Sequence, residues 1–163
     1  MADQMRADAE MEQKMARENI HELAADPKLK VAPPNLRSEV PYFDFSKLDN
    51  SLVELRKKAD EFQSLYPAAM GLTADKKKRL NEVLYMAERS LVREEGLPRR
   101  KWWKHQIYAP GFYTGYGVKT VPGVRESIEE RQWKEAQDNI NIVAETISNY
   151  SDRIAEAISI IKN

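Results

Sequence analysis

An isoleucine recurs at every seventh position near the end of this chain, and the repeat constrains the fold more than any other feature. It consists of Ile140, Ile147, Ile154 and Ile161, with Val143, Tyr150 and Ala157 three residues after the first three isoleucines. Steps of three and four place these side chains along one stripe of an α-helix, as in helix bundles and coiled coils. Two interpretations are open. We favour a bundle core within one chain; the alternative is a subunit contact, with Ile140, Ile147 and Ile154 as candidates.

Turn and breaker residues divide the chain into about four main helices, and the expected class is an all-α bundle. The predicted helices span residues 2–25, Ser46 to about Tyr66, Thr73 to about Gly96, and Pro122 to Lys162 with a bend near Glu130. Prolines predict an extended linker over residues 27–45. Thr73 and Pro122 suit helix starts, and Ser46 followed by Asp49 resembles a capping box.

The second helix carries apolar residues at steps of three and four, which predicts one buried face. The face consists of Leu48, Leu52, Leu55, Ala59, Phe62 and Leu65. Between the third and last helices, residues 97–121 form a long aromatic-rich loop with no clear period and weak strand signals. Gly115 and Gly117 in this loop predict a turn with positive φ. Long loops in compact domains are usually functional or packed on a partner.

Composition excludes several classes of function. The chain has 163 residues, which suits one domain, with 26 basic and 26 acidic side chains and therefore no formal net charge. Zero net charge argues against nucleic acid or an anionic membrane as a bulk electrostatic partner. Cysteine is absent, so thiolate metal sites and cysteine nucleophiles are excluded. No apolar run approaches the roughly 18 residues of a membrane span, and the charged N-terminus is unlike a signal peptide.

A search for catalytic groups finds no complete set. A hydrolytic zinc site needs about three converging ligands, whereas His21 and His105 are the two histidines and lie in different predicted elements. No serine stands in a nucleophile-elbow motif. Adjacent carboxylates such as Glu129 and Glu130 point in different directions on a helix and cannot share a substrate. We therefore expect no metal, cofactor or catalytic residue in this chain, and an independent hydrolase is the weakest alternative.

Basic and aromatic residues alternate in the segment from Arg99 to His105, which contains Trp102 and Trp103. Such a segment can bind single-stranded nucleic acid through stacking and charge. We favour the other interpretation, in which the tryptophans pack under the loop and the arginines pair with carboxylates.

Several segments in fixed order resemble the transferrin-receptor-like dimerisation domain of glutamate carboxypeptidase II-like zinc exopeptidases. They are Val40-Pro41, Phe43-Asp44-Phe45, Leu80-Asn81 to Glu88-Arg89, Glu94 to Arg99, Trp102 to His105, Ile107 to Pro110, Tyr116-Gly117 and Val121 to Val124. The resemblance covers about residues 40–161 and is most specific over residues 94–129. It divides the chain into an N-terminal helical extension and linker, residues 1–39, and a dimerisation domain, residues 40–163.

This resemblance implies a homodimeric domain that is not an enzyme on its own and that adjoins a peptidase domain holding two zinc ions. In the family, the central loop reaches the peptidase substrate pocket, where an adjacent lysine and tyrosine of the glutamate-selective members bind the terminal carboxylate of the substrate. Tyr116 matches that tyrosine, whereas Gly115 stands where the lysine would be. The cation that would select a C-terminal glutamate is therefore missing. By analogy with the family, the resemblance also implies that the parent protein lies outside the cytoplasm.

From the resemblance and the composition of the loop, we expect its aromatic residues to contact partners. The candidates are Trp102, Trp103, Tyr108, Phe112, Tyr113 and Tyr116, because tryptophan and tyrosine are common interface anchors. The expected partners are a second copy of the chain and the peptidase domain of the parent, without nucleic acid or membrane contact. The alternative function is a helical adaptor module that is unrelated to a peptidase.

Overall fold

A computed structural model describes residues 1–20, 36 and 38–163. These residues fall into two compact units, Met1–Tyr42 and Phe43–Asn163. In the first unit, helix α1 spans Ala2–Arg17. The backbone turns at Asn19, where φ is 50°, so this helix ends before the predicted residue 25. Residues 21–25 of that prediction lie outside the described residues.

Arg6 organises the described part of the first unit. Its guanidinium donates a hydrogen bond of 2.8 Å to the carbonyl oxygen of Pro41 and lies 4.2 Å from the centre of the Tyr42 ring. Ala9 and Val40 are the buried apolar residues here. Residues 38–45 have no regular structure, as predicted for the linker, while 27–35 and 37 lie outside the described residues.

The second unit contains four α-helices and two short strands among its residues. In chain order they are α2 (Ser46–Leu65), a 3-10 helix (Tyr66–Gly71), α3 (Ala74–Met86), a 3-10 helix (Ala87–Leu91), β1 (Tyr108–Pro110), β2 (Val118–Thr120), α4 (Pro122–Glu129) and α5 (Trp133–Lys162). None of the helices in residues 1–20, 36 and 38–163 is both long and apolar enough to cross a bilayer.

Two of the predicted helix starts differ in how they are capped. The prediction for Thr73 is confirmed, because its hydroxyl oxygen accepts a hydrogen bond of 3.4 Å from the amide of Lys76. The capping box at Ser46 and Asp49 is wrong, since Ser46 is already the first helical residue. Asp44 acts in its place: one carboxylate oxygen accepts hydrogen bonds from the Ser46 hydroxyl at 2.6 Å and the Ser46 amide at 2.9 Å. These bonds lower the pKa of Asp44 below 3.8.

The predicted last helix is two helices rather than one bent helix. Pro122 begins α4, as predicted, and α4 ends at Glu129. Arg131 then adopts φ of 58°, a left-handed conformation that a continuous right-handed helix does not accommodate. Helix α5 begins two residues later at Trp133.

Helix α5 lies at the centre of the second unit and packs against α2, α3 and α4. The isoleucine repeat is buried along it: Ile140 is 0% exposed, and Ile147, Ile154 and Ile161 are each 8% exposed. The interpretation of the repeat as a core within one chain is therefore confirmed. Near the C-terminus Ile161 joins a cluster that includes Leu80 of α3.

The predicted apolar face of α2 is partly wrong. Leu52 is 46% exposed and Ala59 is also exposed, whereas Ser51 is buried at 7%. Ser51 tolerates burial because its hydroxyl donates a hydrogen bond of 2.8 Å to the carbonyl oxygen of Leu48. The face that contacts the core is therefore rotated toward Ser51, and Leu52 is left on the outer surface.

The aromatic-rich loop contains the strands, so the fold is mostly helical rather than purely all-α. Strands β1 and β2 pair antiparallel, with Tyr108 opposite Thr120 and Pro110 opposite Val118. Each strand has three residues, too few to produce a detectable alternation of apolar and polar residues.

Candidate functional site

Residues 108–120 form a hairpin that we call the hairpin arm. Residues 111–117 connect its two strands, and the Gly115 amide donates a hydrogen bond of 2.8 Å to the Gly111 carbonyl. Gly115 adopts φ of 62°, so the prediction of a positive-φ turn is confirmed at this residue. Tyr116 follows at the tip with 99% of its surface exposed. The two loop residues singled out by sequence therefore lie at the most accessible point of the arm.

The predicted loop aromatics divide into exposed and half-buried residues. Trp102 is 75% exposed, Tyr113 73% and Tyr108 44%. Trp103 is half-buried and its indole nitrogen donates a hydrogen bond of 3.0 Å to the Tyr108 carbonyl. Phe112 is also half-buried. The expectation that both tryptophans pack under the loop is therefore wrong for Trp102.

Tyr113 and Phe112 contact each other beside the tip of the arm. Their ring centres lie 4.9 Å apart in an edge-to-face arrangement. The hydroxyl of Tyr113 also hydrogen-bonds to Glu130, which raises the pKa of Tyr113 above 10.0. The phenol therefore stays protonated at neutral pH and presents an apolar ring to solvent.

A buried ion pair lies under the start of the arm. One guanidinium nitrogen of Arg100 lies 2.7 and 2.8 Å from the two carboxylate oxygens of Glu126, and these side chains are 5% and 3% exposed. A second nitrogen of Arg100 donates to the Pro110 carbonyl, and Glu126 accepts a hydrogen bond of 2.9 Å from the Phe112 amide. The pair thus binds the backbone on both sides of Gly111. No local sequence pattern indicates this role of Glu126.

The end of the arm passes into α4 through a strained residue. Val121 adopts φ of 42°, which is rare for a β-branched side chain. Its amide donates a hydrogen bond of 2.7 Å to the carbonyl of Ile107. Because a residue before proline is normally extended, the sequence gives no signal for this conformation.

His105 lies beside the first strand of the arm. Its Nδ1 accepts hydrogen bonds from the amides of Ile107 and Tyr108 at 3.2 and 3.3 Å. The Tyr108 hydroxyl donates a 3.1 Å hydrogen bond to Glu88, which lies 3.9 Å from Nε2 of His105. Burial lowers the pKa of His105, and the nearby charge of Glu88 opposes that shift. The imidazole is therefore a neutral acceptor at neutral pH.

The described residues contain no group of three or more histidine, aspartate, glutamate or cysteine side chains that could hold a metal ion. His105 makes the ordinary loop hydrogen bonds just described. His21, the other histidine considered for a metal site, lies outside the described residues.

The basic segment near the arm is paired with carboxylates within the chain. Arg99 lies 2.9 Å from Glu135 and 3.4 Å from Glu130, and Lys104 pairs with Glu94. Together with the buried Arg100, these contacts confirm the predicted pairing of the arginines with carboxylates. The paired charges are less available to phosphate groups.

The isoleucine candidates for a subunit contact have almost no exposed surface, since Ile140 is 0% exposed and Ile147 and Ile154 are 8% exposed. An outward-facing alternative lies on α2 and on Tyr66, the residue that follows it. We call this surface the α2 stripe; it consists of Leu52, Arg56, Ala59, Gln63 and Tyr66, all exposed. Leu52 and Tyr66 are 46% and 53% exposed, and Val53 nearby is 64% exposed.

Comparison with known proteins places this arrangement in a family. Residues 43–155 match the transferrin receptor-like dimerisation domain. The chain belongs to that family. A "Probable glutamate carboxypeptidase" of Arabidopsis thaliana is 36% identical over 115 residues, which is 66% of this chain and 17% of the relative. Another "Probable glutamate carboxypeptidase", of Arthroderma benhamiae, is 34% identical over 94 residues, which is 56% of this chain and 13% of the relative. The chain thus spans less than a fifth of either relative.

Proposed function

We propose that this chain is the self-association domain of a glutamate carboxypeptidase-like zinc peptidase and that it has no catalytic activity by itself. The observation that carries the proposal is the family match over residues 43–155. The names of the two relatives support a peptidase as the parent protein. Zinc and the catalytic groups would then belong to a separate peptidase domain.

For self-association we propose that the α2 stripes of two copies pack together in antiparallel orientation. A two-fold axis at Ala59 places Leu52 of one copy opposite Tyr66 of the other, because each lies seven residues, or about 10 Å of helix, from residue 59. The small Ala59 side chain permits close approach at the crossing. Arg56 forms an ion pair of 3.5 Å with Asp60 on its own helix, and this pair can exchange partners across the axis.

Sedimentation equilibrium of the purified chain over a wide concentration range tests this surface. We expect a reversible dimer whose Kd rises by about tenfold or more in Leu52→Glu, which corresponds to about 1.4 kcal/mol. The matched control is Tyr85→Glu, which places the same charge on an exposed aromatic position of α3 and should leave Kd unchanged. A chain that stays monomeric at the highest concentration would contradict self-association by this domain alone, whereas equal effects of both variants would contradict the α2 stripe.

We further propose that the hairpin arm enters the substrate pocket of the peptidase domain. The 99% exposure of Tyr116 at the tip supports a contact with another domain or its substrate. Gly115 provides no cation at the position where the glutamate-selective members of the family carry a lysine. The arm would therefore leave the terminal carboxylate of a substrate without that charge partner, so we expect little preference for C-terminal glutamate.

Peptide hydrolysis by the full-length peptidase that contains this domain tests the role of the arm. Tyr116→Ala should lower kcat/KM by about tenfold or more, and Gly115→Lys should raise kcat/KM for peptides ending in glutamate relative to peptides ending in leucine. Gly115→Ala is the control, since it introduces the same backbone strain at φ of 62° without a charge. Unchanged kcat/KM in Tyr116→Ala would contradict the proposed role.

A further inference from the structure

Trp103, His105 and Glu88 bind Tyr108 at the base of the hairpin arm, and beyond the buried Ala109 the arm has few contacts that could fix its direction. Its two strands have three residues each, and an isolated two-stranded hairpin is at best marginally stable in water. Residues 113–118 are exposed along the whole connection. The anchors beyond the strands include the hydrogen bond of Tyr113 to Glu130 and the ion pair of Lys119 with Glu129. Tyr113 is 73% exposed, and Lys119 and Glu129 are 21% and 35% exposed, so solvent weakens these contacts more than it weakens a fully buried one.

The ion pair of Arg100 and Glu126 at the start of the arm differs from these contacts because it is buried and also binds the backbone. Arg100 and Glu126 bind each other and also bind the backbone of Pro110 and Phe112, the residues on either side of Gly111. Arg100 and Glu126 are 5% and 2% exposed, so their interaction takes place in a medium of low effective dielectric, where it is stronger than at the surface. Breaking the pair would leave one buried charge without a partner.

Glu126 connects this anchor to the rigid part of the fold. It lies on α4, whose residues Val124 and Ile128 are each 5% exposed and which packs against α5. The place where the backbone leaves β1 is therefore held relative to α5 by two side chains that cannot move without losing hydrogen bonds to the arm.

We propose that Arg100 and Glu126 are positioning residues that fix the direction of the hairpin arm, and hence of Tyr116, relative to α5. The functional meaning of this positioning rests on the proposed role of the arm in a substrate pocket. The positioning itself is a property of this chain alone and is measurable without any peptidase activity. An arm that is ordered before it meets its partner loses less conformational freedom on binding.

Distance measurement between two spin labels tests the proposal. The chain has no cysteine, so Tyr116→Cys with Asn149→Cys provides a unique pair of labels, one at the tip of the arm and one at an exposed position of α5. We expect a narrow distribution of distances in the otherwise unchanged chain. In Arg100→Met with Glu126→Met the distribution should broaden roughly twofold or more, because methionine cannot bind the Pro110 carbonyl or the Phe112 amide.

This double variant separates positioning from stability. Replacing both members of a buried ion pair by apolar residues of similar volume is often neutral for stability, so the urea midpoint should fall much less than when one member alone is replaced, while the arm loses its direction. The matched control is Lys119→Gln, which removes an ion pair of the arm at the surface and should leave the distribution narrow. A distribution that stays as narrow in the double variant as in the parent chain would overturn the proposal.

A milder variant keeps the test decisive if the double variant does not fold. Glu126→Gln retains an oxygen that can accept from the Phe112 amide, yet it leaves the Arg100 charge unpaired. Hydrogen exchange at the Phe112 amide should then accelerate about tenfold or more relative to the Ile147 amide, which reports opening of the core. An unchanged ratio of these two exchange rates would overturn the proposal. Neither experiment depends on a substrate.

Discussion

The contact between α4 and α5 depends on the absence of a side chain at Gly123. A Cβ atom at this position would lie 2.4 Å from Oδ1 of Asn139 and 3.0 Å from its Cγ. Asn139 is 4% exposed, and its amide nitrogen donates a hydrogen bond of 2.8 Å to the carbonyl of Glu135. Alanine at position 123 therefore forces either the Asn139 side chain or the whole of α4 to move.

We expect Gly123→Ala to lower the free energy of unfolding by about 1–5 kcal/mol. Overpacking of a filled interior costs about 1–3 kcal/mol, and a displaced Asn139 that loses its buried hydrogen bond adds a cost of about 1–3 kcal/mol. Alanine also raises the free energy of unfolding by about 0.5–1 kcal/mol, because it restricts the unfolded chain more than glycine does. Urea unfolding followed by far-ultraviolet circular dichroism measures the difference.

Two further variants test whether the clash between the new Cβ atom and Asn139 causes the loss of stability. Gly71→Ala is the matched control, because a Cβ there meets nothing within 4 Å, and we expect a change within about 0.5 kcal/mol. Asn139→Ala removes the atoms that the new Cβ would strike. In that background Gly123→Ala should cost at least about 1 kcal/mol less than in the parent chain. Additivity of the two substitutions within about 0.5 kcal/mol would refute the reasoning.

Two predictions concern the loop that leads to the arm. Gly96→Ala should destabilise the chain by about 2 kcal/mol or more, because φ is 69° and the added Cβ would lie 2.1 Å from the backbone oxygen of Lys101; a loss below that in urea unfolding would contradict the prediction. Burial holds the pKa of His105 below its ordinary 6.5, so the unfolded chain binds more protons and stability should fall as pH drops below about 6.5. In His105→Asn, whose side-chain oxygen can accept from the amides of Ile107 and Tyr108, this acid-dependent loss should be smaller; identical pH dependence would exclude His105 as its source.

The helix starts and the bundle core could be predicted because their signals are local. Thr73 and Pro122 act within one turn of their own helices, and both positions are helix starts in the structure. The isoleucine repeat is likewise visible within a single helix. Periodicity does not specify which partner buries a stripe, and the burial of Ile140 at 0% exposure was needed to decide between the core and a subunit contact.

The features that fix the arm could not be predicted in the same way. Arg100 and Glu126 are 26 residues apart, and no local pattern links two charged residues at that separation. Val121 contradicts the usual preference of a residue before proline. Polarity alone predicts that Leu52 is buried and Ser51 is exposed. Ser51 is buried instead, because its hydroxyl makes a hydrogen bond within its own helix. Each of these outcomes depends on tertiary contacts that override a local preference.

The two proposed contact surfaces lie on different elements, so their effects can be separated. Leu52 and Tyr66 belong to α2 and the residue after it, whereas Tyr116 is at the tip of the hairpin arm. Leu52→Glu should therefore change the mass of the chain in solution without changing the distance from Tyr116 to α5. Arg100→Met with Glu126→Met should broaden the distribution of distances from Tyr116 to α5 without changing the mass of the chain in solution. If either variant changed both properties, the stripe and the arm would be coupled through the core, and self-association would itself influence how the arm is presented to a peptidase domain.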